Sequence, residues 1–382
     1  MIVEVTLFDP WDGDYATSPW QLANNNRGIQ FTQQGLFCSF DNTTRYGHQP
    51  QPDGQAANQL ARQVQLNLMQ KVASTLSCYN NFYWELANEP DFNIVANPID
   101  VTAMAQWHDY MANQLYSFEQ SLGRHHPIGV NFHSLSALAQ IPSHTDVLNA
   151  HYAALKSIPS EPRDSAIDLI RGFYGGQQGS LGEIFGFNEG RITPILTTSD
   201  GTRAEAWEFM LGGGGVFDHL GYEWNDGNQD EQAIRKELGI LSTFVNGYNL
   251  QFMARQTNNP PAWLQNLERY GTAHPNYTTY WGAMQSRYQY ALYIHHSTLT
   301  PDGAPLGGSK GYVKVSGTYQ ENNLQFIASP AAAIGTNFLI EWVDPASGAT
   351  YPGSMNQTWT GAPIIINSPQ YSYDIALSIK RN

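Results

Sequence analysis

The chain has 382 residues, 33 acidic and 19 basic side chains, and a net charge of −14. That length holds one large domain or two, with ample core. The acidic balance and the lack of basic clusters exclude nucleic acid and anionic membrane as favoured partners. No apolar run approaches membrane-spanning length. Two cysteines, Cys38 and Cys78, allow at most one bridge, and two reduced thiols are the plainer expectation. The stretch Met1–Phe8 has neither a basic n-region nor a small-residue cleavage site. A cytoplasmic protein is expected from this start, or a secreted one if the gene begins earlier.

Taken in order, Ile2–Phe8 reads as a strand, ended by Asp9-Pro10-Trp11-Asp12. The polar loop from Gly13 to about Asp53 is too long for a passive connection and is expected to be functional. Trp11 and Trp20 are candidates for an aromatic platform under a ligand or for the loop's own small core. Leu60, Val64, Leu68 and Val72 recur at helical spacing and predict a helix over 55–76. Phe82-Tyr83-Trp84-Glu85-Leu86-Ala87-Asn88-Glu89-Pro90 reads as a short buried strand stopped by proline, which has no N–H and disfavours helical geometry before it. Alternation puts Glu85, Ala87 and Glu89 on one face. A carboxylate ending an apolar strand is costly unless it is paired or does chemistry, so Glu89 is either a general acid/base or a paired structural group.

A second helix is predicted over 102–122, with Met104, Trp107, Met111, Leu115 and Phe118 on its core face. Strands follow at Pro127–Phe132, Asp146–Tyr152, Thr193–Thr198 and Val216–Trp224, and helices at 164–174, 203–211 and 229–245. The alternation indicates a parallel sheet with crossover helices. No G-x-G-x-x-G or Walker pattern opens a helix, which disfavours nucleotide binding, and Gly212–Gly215 reads as a tight connection. From about Tyr288 short strands recur at turn-rich intervals and predict an antiparallel sandwich.

The run Glu85-Leu-Ala-Asn-Glu-Pro90, preceded by Asn80-Asn81-Phe-Tyr-Trp, resembles the fourth-strand motif of clan A retaining glycoside hydrolases, in a branch that carries a C-terminal β-sandwich. The resemblance covers most of the chain. It implies a (β/α)8 barrel, Glu89 as acid/base and Asn88 as the partner of the sugar 2-hydroxyl. Trp342-Val-Asp-Pro-Ala-Ser-Gly348 resembles a hairpin of the appended sandwich, for which packing is the expected role.

If Glu89 ends the fourth strand, Ile2 begins the third, and the first two strands are missing. Strand number, tilt and stagger are linked, so such a barrel cannot close. A homo-oligomer covering the gap is expected. In the family, an arginine of the second strand lies near the catalytic floor; this chain has no matching position beside Glu85.

Retention needs a second carboxylate roughly 5–5.5 Å from the first. In the clan it is a glutamate ending the seventh strand, but here that strand reads Pro194-Ile-Leu-Thr-Thr-Ser-Asp-Gly201. Asp200 is the first candidate nucleophile; the alternative is a turn residue capping the next helix. Glu223, in Gly221-Tyr-Glu-Trp, is the rival. His133, His151 and Tyr152 follow successive strand ends and, with Asn131 and Trp224, complete the candidate subsite. His133, His151, Asp200 and Glu223 have no metal-ligand spacing, and Asp226–Asp230 lacks the glycine of a calcium loop, so no cofactor is expected.

The sequence therefore predicts an α/β chain: a TIM-type (β/α) barrel over 1–280, incomplete with about six strands, and an antiparallel β-sandwich over 281–382. The expected activity is retaining hydrolysis of β-linked sugars, with carbohydrate as the partner. The alternative is a non-catalytic carbohydrate-binding or scaffold relative. An esterase is disfavoured by the lack of a G-x-S-x-G elbow.

Overall fold

The computed structural model describes residues 3–8, 55–88, 101–132, 143–150, 185–190, 199–219, 231–256, 258–299 and 312–382. The loop at 13–53 with Trp11, Trp20 and Cys38 lies outside them, as do the helix expected at 164–174, the strand expected at 193–198 and the Asp226–Asp230 segment. Two compact units are present: Met1–His151 with Tyr174–Phe187, and Tyr152–Phe173 with Asn188–Asn382.

The first unit holds β1 (Val3–Phe8), α1 (Gln55–Leu76), β2 (Phe82–Ala87), α2 (Val101–Ser121), β3 (Ile128–Phe132), β4 (Val147–Ala150) and the start of β5 (Phe185–Gly190). The strands pair in chain order, every ladder parallel: β1 with β2, β2 with β3, β3 with β4, β4 with β5. Every residue of β2 is buried, as expected for a strand covered on both faces. Gly129 allows the close approach of β3 to β2: a Cβ there would sit 3.1 Å from the Trp84 carbonyl oxygen and 3.2 Å from the Tyr83 ring.

The buried stripe of α1 is Gln65, Met69 and Ala73, one residue round from the predicted Val64, Leu68 and Val72. The reason is a buried polar contact: Trp107 on α2 donates its indole N–H to Gln65 Oε1 at 3.2 Å. On α2 the core face is Trp107, Met111 and Leu115, extended by buried Glu119. Glu119 accepts from Trp84 Nε1 at 2.9 Å and from the His126 backbone N–H at 2.8 Å. Its Oε1 lies 2.7 Å from His126 Nδ1, and Phe82 stacks on that imidazole. These bonds pin α2 to the beginnings of β2 and β3.

The second unit begins with α3 (Ser199–Leu211), β6 (Val216–His219) and α4 (Glu231–Asn246), then a 3-10 turn (Leu250–Phe252). Short strands β7 (Ala254–Arg255), β8 (Leu264–Gln265) and β9 (Thr272–Ala273) precede the long hairpin β10 (Thr278–Gln285) and β11 (Gln289–Leu299). After it come β12 (Tyr312–Lys314), β13 (Leu324–Phe326), β14 (Asn337–Val343), β15 (Met355–Thr358), β16 (Ile364–Ile366) and β17 (Asp374–Arg381). The main antiparallel sheet runs β15-β14-β17-β11-β10-β7, with β12 on β11 and β9 on β10. A smaller sheet runs β16-β13-β8.

Alternation along β11 divides the core. Tyr290, Leu292 and Ile294 join Trp263, Phe326 and Leu377 in the cluster shared with the small sheet. Ala291 and Tyr293 join Trp207, Leu241 and Val245 of α3 and α4. The main sheet is thus covered on both faces, by helices on one and by strands on the other.

Residue 280 lies inside β10, and α3 and α4 cover the helix-side face of the antiparallel sheet. The fifth described strand is Phe185–Gly190, ahead of the segment at 193–198. Gly212–Gly215 is the expected connection. It closes α3 with N–H bonds from Gly212, Gly213 and Gly214 to the carbonyls of Glu208, Met210 and Phe209. Trp342 is buried in the strand-side core, donating to the Asn367 carbonyl at 3.0 Å.

Candidate functional site

Parallel strands end on one edge, and in the first unit the register fixes that edge. Glu85 of β2 is level with Thr6 on one side and Gly129 on the other, and Gly129 is level with Val147. Asn131 and Asn149 face each other across β3 and β4. The described strands stop at Ala87, Phe132 and Ala150, directly ahead in sequence of Asn88-Glu89, His133 and His151. Asn88 is half-buried and its backbone N–H reaches the Phe8 carbonyl at 3.4 Å. Below the edge, Glu85 is 1% exposed and accepts from Thr6 Oγ1 at 3.1 Å. A cross-strand hydroxyl therefore stands among the partners of this buried carboxylate. Glu89, His133, His151, Tyr152, Glu223, Trp224 and Trp11 lie outside the described residues, as does the side chain of Asn131.

Asp200, the remaining candidate, sits in the first turn of α3 in the second unit, where a carboxylate complements the helix dipole. Its Oδ1 is 2.6 Å from Arg203 Nη2 and its Oδ2 is 3.1 Å from Lys314 Nζ. Burial pushes its carboxyl up, but Arg203 and Lys314 outweigh burial and hold it below its usual range. Arg203 is itself buried. Its Nε meets Asp374 Oδ2 at 2.8 Å and its Nη1 meets Glu237 Oε1 at 2.6 Å. Tyr293 donates to Asp374 Oδ2 at 2.9 Å, completing a network that ties α3, α4, β11, β12 and β17 together. Burial pushes Glu237 up to about 6 against the pull of Arg203.

A second buried constellation was missed by the sequence reading. Ser297 Oγ lies 2.9 Å from His295 Nδ1, and His295 Nε2 lies 3.0 Å from Glu208 Oε2. Tyr270 donates to the other Glu208 oxygen at 2.7 Å, and Ser297 Oγ also meets the Tyr373 hydroxyl at 3.0 Å. The order serine–histidine–carboxylate is that of an acyl-transfer relay, but Ser297, His295 and Glu208 are all 0% exposed. No substrate carbonyl reaches the hydroxyl, so the set holds α3 to the sheet. The signal in the sequence was His295-His296-Ser297 interrupting an otherwise apolar strand, which demands buried partners.

Among the described residues no cluster of three His, Cys, Asp or Glu side chains is arranged to hold a metal ion. No described helix is long and apolar enough to cross a membrane.

No protein-family model matches the sequence, and no curated protein matches it. Solved structures do. A glycoside hydrolase family 5 protein from Bacteroides vulgatus ATCC 8482 superposes with a TM-score of 0.51 at 11% identity, over 83% of this chain and 66% of that one. The present chain thus spans about two thirds of that protein's length. A GH30 endoxylanase from Clostridium papyrosolvens C71 matches at 10% identity over 83% of this chain and 72% of its own, with a TM-score of 0.42. The first likeness shows a fold of the glycoside hydrolase kind; the second is too loose to add weight.

Proposed function

We propose that this chain is a glycoside hydrolase acting on β-linked sugars with retention, and that Glu89 is its acid/base. The observation that carries the reading is the run of parallel strands in chain order whose carboxyl edge leads into Asn88-Glu89-Pro90, His133 and His151. Catalytic groups of such sheets collect at that edge. The fold likeness supports it.

In the proposed cycle, Glu89 gives its proton to the glycosidic oxygen as the bond to the anomeric carbon breaks. A second carboxylate attacks that carbon from the opposite face and forms the glycosyl-enzyme. Glu89, now ionised, takes a proton from water, which attacks the anomeric carbon and releases the sugar with its original configuration. Asn88 holds the 2-hydroxyl, and Asn131, His133, His151, Tyr152, Trp224 and Trp11 line the subsite. For the nucleophile, the ion pairs of Asp200 favour its structural role, since both its oxygens are engaged by cations. Glu223 is then the preferred second carboxylate. The same observation keeps a non-catalytic carbohydrate-binding protein as the second reading.

The test is turnover of a panel of aryl β-glycosides by the purified protein, with Glu89→Gln and Glu223→Gln beside it. We expect both variants to lose at least about 100-fold in kcat/KM. Glu89→Gln should recover least on substrates with poor leaving groups, which need the proton most. Turnover unchanged in Glu89→Gln removes the proposal.

A further inference from the structure

The second unit carries a pocket of about 420 Å³ lined by Asn249, Phe252, Ser286, Arg287, Tyr288, Gln289 and Arg381. That volume lies within the range of small-molecule sites. Three segments build it, and backbone bonds lock them together. In the β10–β11 turn the Ser286 N–H donates to the Gln289 carbonyl at 2.7 Å. The Arg381 N–H, at the end of β17, donates to the Tyr288 carbonyl at 2.9 Å. The Asn249 N–H, ahead of the 3-10 turn, donates to Gln289 Oε1 at 3.0 Å.

Two guanidinium groups share one aromatic ring in this pocket. The Arg287 and Arg381 Cζ atoms lie 4.8 and 4.7 Å from the Tyr288 ring centroid. Cation–π attraction orders both side chains without neutralising them. Among the described residues neither has a carboxylate within ion-pair distance, in a chain that carries 33 acidic side chains to 19 basic ones. An ordered, unneutralised guanidinium grips a carboxylate with paired N–H donors, and two of them in one pocket select an acidic ligand over a neutral one. Beside them Phe252 is 69% exposed, an apolar face of the size of a sugar ring.

We propose that this pocket binds an acidic sugar unit of a polysaccharide, its carboxylate on Arg287 and Arg381 and its ring against Phe252. The choice of a sugar rests on the glycosidase reading; the choice of a carboxylate rests on the two arginines alone.

Titration calorimetry of the whole chain tests it, with a trigalacturonide as ligand and its carboxyl-reduced, neutral counterpart as control. We expect the acid to bind at least about tenfold more tightly than the neutral form, with affinity falling as salt rises. Arg381→Gln and Arg287→Gln should each lose about tenfold in affinity. Both side chains are exposed, so melting temperatures should not move. Phe252→Ala should weaken the trigalacturonide but not inorganic sulfate. Equal binding of the acid and neutral forms, or no binding of either, overturns the proposal. Sulfate competing as well as the trigalacturonide, with Phe252→Ala silent, reduces the pocket to a simple anion site and also overturns it. Turnover of the parent chain, measured beside the titration, separates the two readings. Absent turnover with acid binding retained fails the catalytic reading alone. Turnover without acid binding fails only the pocket.

Discussion

At the scale of single residues, two buried groups of the second unit oppose each other in acid. Glu237 titrates in the fold at about 6, pushed up first by burial, against 4.5 for an ordinary glutamate. Between those values the unfolded chain has lost this proton and the fold keeps it, so stability falls as pH rises. His296 is held down to about 3, by burial first and then by His295 and His274, against 6.5 when exposed. Below 6.5 the unfolded chain gains a proton that the fold refuses, so stability falls as pH falls. From pH 4.5 to 6 the two slopes, each up to about 1.4 kcal/mol per pH unit, cancel. Relative to the parent, Glu237→Gln should make stability climb with pH across that window, and His296→Asn should make it decline. Denaturant midpoints measured at half-unit intervals check both; parallel curves for parent and variants would show that neither group is shifted.

The same scale shows what could be read beforehand. Asp-Gly at 200–201 was legible as either a helix start or a nucleophile, and the sequence held no means of choosing. Its partners were out of reach of a local reading: Arg203 is three residues away, but Lys314 is 114 away and the Asp374 that fixes Arg203 is 171 from it. Pairings at such separations leave no local pattern.

At the scale of elements, the strands that matter were legible because their chemistry is local. Phe82–Ala87 is apolar apart from Glu85 and stops just short of proline, which is how it was recognised. The stripe of α1 was misplaced by one residue because a buried glutamine paired with an indole does not look like core. The strand at Phe185–Gly190 was missed because Phe185-Gly-Phe-Asn-Glu-Gly190 is rich in turn residues. The docking of α3 on the main sheet rests on close backbone approach. A Cβ on Gly282 of β10 would lie 2.6 Å from the Glu208 carbonyl oxygen and 3.1 Å from the Gly212 nitrogen. Gly282→Ala should therefore push the end of α3 off the sheet and cost about 1–3 kcal/mol. Gly239, on α4, has nothing within 4 Å of its would-be Cβ, so Gly239→Ala should stabilise by about 0.5–1 kcal/mol. Opposite shifts of the urea midpoint are expected; a neutral Gly282→Ala would mean that α3 can ride away from the strands freely.

At the scale of the whole molecule, the change of texture near Tyr288 was legible. Composition marks where strands become short and antiparallel, while the unit that packs together takes in Tyr152–Phe173 and Asn188–Asn382. Which helices cover a sheet is a tertiary fact. The sheet's organisation also makes its last strand indispensable. β17 lies between β11 and β14, and its Asp374 holds Arg203 and Tyr293. Deleting residues 374–382 should abolish the cooperative unfolding transition of the second unit and flatten the near-ultraviolet circular dichroism of its tyrosines and tryptophans. A retained near-ultraviolet spectrum would show that β11 and β14 can close on each other.

That central place of β17 has a consequence during synthesis. In the first unit each strand pairs with one already made, so its parallel sheet can grow as the chain leaves the ribosome. In the second unit the Gln289–His295 stretch of β11 must wait while everything from β12 to β16 is translated before β17 arrives. Until then an edge of β11 and an edge of β14 stand unpaired, each able to recruit a strand from another nascent chain. The interval between the emergence of β11 and that of β17 is the period of greatest exposure to aggregation, and slow codons within it would lengthen that risk.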